Sequence, residues 1–260
     1  MVMELTTAQI QAFVVNGTMA IFILIIGSIV LRRNPKNRLN RSFFLFYIFI
    51  AFGLFINVAY RLINRESWMV WMNRITVFFS ISAIIFLLIF NMIIYHSEQV
   101  FTRKKALIST ILWFIICSGF LWIDLDNGVQ WDFNPICPGI QSLIINPGAA
   151  GVPAWSTIYT IYGMILAQSL FIVIIIIAVR IIRKFGDIKL RRRYVSSIIA
   201  IFMFDWILVG NMLNNWTVMQ NANAYYNLYG FTPFSTIFLY TSVLVIPAVL
   251  LLWYSVRKKD

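Results

Sequence analysis

The chain has 260 residues, 61% of them hydrophobic and only 12% charged, with a formal net charge of +12 and a mean hydropathy of +0.83. Soluble domains average about 45–50% apolar residues, so these values exclude a water-soluble fold and make a lipid bilayer the solvent. The positive charge raises nucleic acid as a partner, but no aromatic and basic residues interleave on a soluble surface, and that class is set aside as well.

Seven apolar blocks follow one another at about 10–31, 42–63, 69–95, 106–123, 155–179, 194–214 and 234–255. Each is long enough to cross a hydrocarbon core of about 30 Å as a helix. Membrane-spanning strands are excluded, because a barrel needs short segments of alternating hydropathy. The expectation is an all-α membrane protein: a single seven-transmembrane helix bundle over residues 1–260, located in the cell membrane as a multi-pass protein. No internal repeat is evident, and Pro247 is the one proline well inside a block, which counts against repeat-built transporters.

The first block has no basic segment before it and no small-residue cleavage site after it, so it reads as a retained helix. Arg32-Arg33-Asn34-Pro35-Lys36-Asn37-Arg38 then forms a short basic turn. Eighteen of the 21 Lys and Arg lie in four clusters, at 32–41, 103–105, 180–193 and 257–259, each following an odd-numbered block. Seven spans therefore place all four clusters on one face. Positive residues mark the cytosolic face, which sets the N-terminus outside and the C-terminal tail in the cytosol.

Polar groups inside a bilayer are costly, so they are the best pointers to function. In block 2, Asn57 and Arg61 stand four apart and share a helix face near the outer end. Block 3 carries Arg74 a few residues below the outer surface and ends in Tyr95-His96-Ser97-Glu98. A lone histidine at a solvated helix end has neither the ligand partners of a zinc site nor those of a catalytic base, so no catalytic or metal role is assigned. Cys117 in block 4 and Cys137 in the next loop leave two readings open, a bridge or two unrelated thiols.

The loop 124–154 is long, with Asp124, Trp131 and Phe133 among several prolines. It reads either as a folded outer lid or as a passive connector. Tyr159, Tyr162 and Gln168 line block 5, and Asn211, Asn214 and Asn215 mark the outer end of block 6. Asp205 lies eleven residues into block 6, roughly 16 Å deep and near the midplane. These residues define a candidate outward-facing ligand pocket, floored by Asp205 with Arg74 as its partner and covered by the loop with Trp131. The competing reading is that they hydrogen-bond across packed helices and bind nothing.

No lysine lies within any apolar block, so a retinal Schiff base is excluded and no cofactor is expected. Rhodopsin-like receptors are disfavoured as well. Block 3 lacks Asp-Arg-Tyr at its end, and block 7 lacks Asn-Pro-x-x-Tyr. The basic stretch 180–193 reads as anchoring of the cytosolic face, or as a contact for lipid headgroups or a cytosolic partner.

Four places carry a family likeness: Asn37-Arg38 with Asn40-Arg41-Ser42-Phe43-Phe44; Trp68, Trp71 and Arg74; Trp131 ahead of a proline and glycine stretch; and Arg191-Arg192-Arg193-Tyr194 with Thr232-Pro233-Phe234. In these the chain resembles the seven-transmembrane sensor region at the N-terminus of many prokaryotic histidine kinases. The resemblance implies a non-enzymatic, receptor-like module that takes an extracellular or membrane-borne signal, from a small molecule or a lipid, and passes it to a cytosolic partner or across a homodimer. These residues include no phosphoacceptor helix and no nucleotide-binding domain, so kinase activity is not implied. The alternative function is a small-solute transporter or channel with Asp205 on the pathway.

Overall fold

The computed structural model describes residues 13, 16–60, 66–125, 129–132, 152–221 and 245–256. Helices occur in all seven apolar blocks: α1 (Gly17–Arg33), α2 (Arg38–Tyr60), α3 (Glu66–Ser82), α4 (Ile84–Val100), α5 (Arg103–Cys117), α6 (Gly119–Trp122), α7 (Thr157–Lys184), α8 (Ile188–Asn221) and α9 (Val245–Val256). Five stretches are long and apolar enough to cross a membrane: Arg38–Tyr60, Ser67–Val100, Arg103–Trp122, Thr157–Lys184 and Ile188–Leu213. The described parts of the first and last blocks, α1 and α9, have 17 and 12 residues.

The helices outrun the apolar blocks that predict them. The helix of block 2 begins at Arg38 rather than 42, that of block 5 runs to Lys184 rather than 179, and that of block 6 begins at Ile188 rather than 194. Hydropathy measures the hydrocarbon slab, whereas the backbone ladder continues into the headgroup layer, where Lys and Arg are good helix formers. Capping residues set the true ends. Asn37 Oδ1 accepts from the Leu39 N–H at 2.8 Å, Thr102 Oγ1 from Lys105 at 3.4 Å, Asp187 Oδ1 from Lys189 at 2.7 Å and Ser156 Oγ from Tyr159 at 3.2 Å. Each satisfies a backbone donor that the first turn leaves free.

Block 3 departs most from expectation. It forms one 34-residue stretch, Ser67–Val100, long and apolar enough to cross a membrane, with a break in the ladder at Ala83 between α3 and α4. Ala83 keeps helical angles, φ −58° and ψ −34°, and the Phe86 N–H bonds the Ala83 carbonyl at 3.0 Å, a tightened turn. The Trp113 indole N–H of α5 donates to the Ile81 carbonyl at 3.3 Å beside the break. Residues 81–87 are buried consecutively, which an α-helix achieves only when neighbours surround it.

This stretch is the axis of the bundle. α2 packs on both α3 and α4, α4 on α7, α7 on α8, α8 on α9, and α9 on α1, which returns to α2. The stretch Arg103–Trp122 leans on α3 and α4 from outside and is only 17% buried, against 61% for Ser67–Val100. Its exposed face of Leu107, Ile108, Ile111, Leu112, Ile115 and Ile116 suits lipid.

The all-α expectation needs one correction. Within the long loop, β1 (Val129–Asp132) and β2 (Val152–Trp155) form an antiparallel ribbon, with Val129 opposite Trp155 and Asp132 opposite Val152. A two-stranded ribbon is marginal alone. This one touches α3 through β1 and α8 through β2.

Gly53 brings α2 against α3. A Cβ there would lie 2.7 Å from Ser80 Oγ and 3.1 Å from the Thr76 carbonyl oxygen. Gly53→Ala is therefore expected to destabilise the protein by about 1–3 kcal/mol, the usual cost of overpacking. Gly186→Ala, where a Cβ meets nothing within 4 Å, serves as the neutral control. Unfolding in detergent measures both, and equal stability of the two variants would contradict this helix packing.

Candidate functional site

The polar residues singled out from the sequence fall into separate hydrogen-bonded groups. Arg74 belongs to the most elaborate. Its side chain is 1% exposed, and its guanidinium donates to the carbonyls of Phe120 (3.2 Å), Ile123 (2.9 Å), Asp124 (2.8 Å) and Leu125 (3.2 Å). These lie at the C-terminal end of the α5–α6 stretch, where helix carbonyls lack intrahelical donors and the helix dipole favours a cation. Asp124 adopts φ 48°. Asp is among the few residues that tolerate this left-handed conformation.

The expected pairing of Arg74 with Asp205 is therefore corrected. Carbonyl oxygens need no counter-ion on a neighbouring helix, and they occupy the guanidinium donors. Arg74 also lies 5.2 Å from the centre of the Tyr159 ring, within cation–π range. Tyr159 is fully buried, edge-on to Trp155 (5.1 Å) and Phe120 (5.5 Å), and Phe120 is edge-on to Tyr162 (4.9 Å). The Tyr162 hydroxyl donates to the Ile116 carbonyl.

The same group ties the ribbon to the axis. The Trp155 indole N–H donates to Asn73 Oδ1 at 3.0 Å, and Asn73 Nδ2 donates to the Tyr60 hydroxyl at 3.4 Å. The Ser156 hydroxyl donates to the Asp124 carboxylate at 2.5 Å while capping α7. Asn73, Trp155 and Ser156 were not legible as site residues. Each is an ordinary residue type at a helix or loop boundary, and only the fold brings them together.

Asp205 sits apart, 6% exposed on α8. Gln168 Nε2 of α7 donates to both carboxylate oxygens, at 3.0 and 3.3 Å. The register explains the match: α7 ends at Lys184 and α8 starts at Ile188, so residues 168 and 205 lie almost equally far from the turn. Asn57 forms a third group, accepting from Asn16 Nδ2 at 3.2 Å and linking α2 to the start of α1. Asn211 is half-buried on α8. Arg61, Cys137 and the side chains of Trp131 and Asn214 lie outside the described residues, although β1 includes the backbone of Trp131.

At the opposite end, the Tyr194 hydroxyl donates to Asn91 Oδ1. Asn91 in turn donates to the Leu87 carbonyl at 2.8 Å. Arg38 donates to the carbonyls of Glu98 (3.2 Å) and Phe101 (2.9 Å), and Lys105 to that of Val100 (3.0 Å), closing the last turn of α4, where Ser97 takes φ 72°. The axis is thus hydrogen-bonded at both ends and at the break. Among the described residues, no three His, Cys, Asp or Glu side chains converge as metal ligands do.

No protein-family model matches the chain, and no curated protein matches it.

Arg74→Gln leaves several buried carbonyls without donors, each costing about 1–3 kcal/mol. A stability loss on the order of 3 kcal/mol or more is expected in detergent unfolding, while exposed Lys36→Gln should stay within about 0.5 kcal/mol. A neutral Arg74→Gln would contradict the capping role.

Proposed function

We propose that the chain is a receptor-like membrane sensor with seven spans, its N-terminus outside and its tail in the cytosol, which passes an extracellular or membrane-borne signal to a separate cytosolic partner. One observation carries the reading: the buried axis Ser67–Val100 is hydrogen-bonded to the outer ribbon through Asn73, to the end of the α5–α6 stretch through Arg74, to α8 through Asn91 and to the start of α2 through the Glu98 carbonyl and Arg38. A displacement of the ribbon therefore acts directly on the helix whose far end meets α2, α7 and α8. Ligands shift such equilibria only by their difference in affinity between two packings, and the break at Ala83 supplies a joint between the halves.

The likeness to the sensor region of histidine kinases supports the same reading, as does the gathering of the basic turns at one end. Trp68, Trp71 and Trp122 are exposed toward the other end, with Trp71 and Trp122 in edge contact at 6.3 Å. They match an interfacial aromatic belt. The protein acts in this reading without chemistry of its own, through a small-molecule or lipid ligand and a cytosolic partner or second copy. The buried Asp205–Gln168 pair favours the second reading, a small-solute transporter with a carboxylate on the pathway.

Orientation is tested with Leu125→Cys and Gly186→Cys in a background lacking the native cysteines. A membrane-impermeant thiol reagent applied to intact cells should modify the first and spare the second, and the reverse pattern would overturn the topology. Solute uptake by proteoliposomes that Asp205→Asn abolishes would replace the sensor reading with the transporter. Absence of flux across a panel of ions, sugars and amino acids is the expected result.

A further inference from the structure

Some cations at the basic end bond to the protein, whereas others, including Arg32, Arg33, Lys36, Arg103 and Lys104, are exposed; they are densest in the segment 180–193. Arg38, Arg41 and Lys105 donate to backbone carbonyls, and Lys184 Nζ sits 4.0 Å from the centre of the Tyr95 ring. Around the three-residue turn between α7 and α8, Arg180, Arg183, Lys189, Arg191 and Arg192 are exposed, and none has a protein partner among the described residues. Asp187 is the only acid between 180 and 193, and its carboxylate caps α8. One carboxylate thus faces seven cations between 180 and 193, which leaves the segment with a large excess of positive charge. In the first turn of α8, Ile188 and Leu190 are 62% and 50% exposed.

We propose that this turn binds anionic phospholipid headgroups, the guanidinium groups holding the phosphate while Ile188 and Leu190 enter the adjoining acyl layer. Guanidinium matches phosphate geometry through paired N–H donors. Positive-inside orientation requires only charge, whereas this segment combines exposed arginines with the exposed apolar side chains of Ile188 and Leu190. That combination selects a lipid over a soluble polyanion, which offers nothing to the isoleucine and leucine. The inference rests on membrane insertion alone and is independent of the sensor reading.

Native mass spectrometry of the full-length protein, in detergent doped with phosphatidylglycerol or phosphatidylcholine, counts the bound lipids. Phosphatidylglycerol adducts should predominate and fall roughly thirtyfold in Arg191→Gln/Arg192→Gln, as expected when two cations at a charged surface are removed. The charge-matched control Arg103→Gln/Lys104→Gln should keep them. Arg191→Lys/Arg192→Lys preserves charge and topology, and should bind at an intermediate level because the paired donors are lost. Equal binding of the two lipids would overturn the proposal. So would an equal loss in the control, which means diffuse charge, or displacement of the lipid by equimolar inorganic phosphate, which means a free-anion site.

Discussion

A guanidinium can occupy an apolar interior only where its donors are satisfied, and Arg74 meets that condition through four backbone carbonyls at the end of the α5–α6 stretch. That constraint fixes much else. The loop must turn at Asp124 so that successive carbonyls face one group, and the Asp124 carboxylate is then placed to accept from Ser156 at the start of α7. Tyr159, one turn later, closes over the guanidinium. A single buried cation thereby joins the axis, the peripheral stretch and α7 at one level.

The polar residues at this level are bonded within the protein. Arg74, Tyr159 and Tyr162 share an aromatic cluster in which ring edges and carbonyls occupy the polar groups. In the proposed sensor reading a ligand would compete with these fastenings, and the Trp155–Asn73 bond is where the ribbon meets the axis. The basic end has a parallel construction, with Arg38 closing α4 as Arg74 closes α6. In both places an arginine side chain caps the end of a helix, fully buried at Arg74 and half-buried at Arg38.

Much of this was legible from the sequence, for reasons tied to particular residues. Helices occur in all seven apolar blocks because block length reflects the slab that a helix must cross. Asp205 and Gln168 were legible singly, as polar residues within apolar blocks, but their pairing was not, since the expected partner of Asp205 was Arg74. The partner of Arg74 was not, because side-chain pairing rules are blind to backbone acceptors. The break at Ala83 has no glycine or proline to announce it. The ribbon was hidden for another reason: Val129–Asp132 and Val152–Trp155 are too short for alternation to register.

The central claim is mechanical continuity along Ser67–Val100, and amide hydrogen exchange on the reconstituted protein tests it most directly. Trp155→Phe removes the indole N–H that holds the ribbon to Asn73 and alters nothing at the basic end. The account predicts faster exchange at residues 95–102 as well as at 129–132 and 152–155. Faster exchange confined to the ribbon, with the last turn of α4 unchanged, would contradict it.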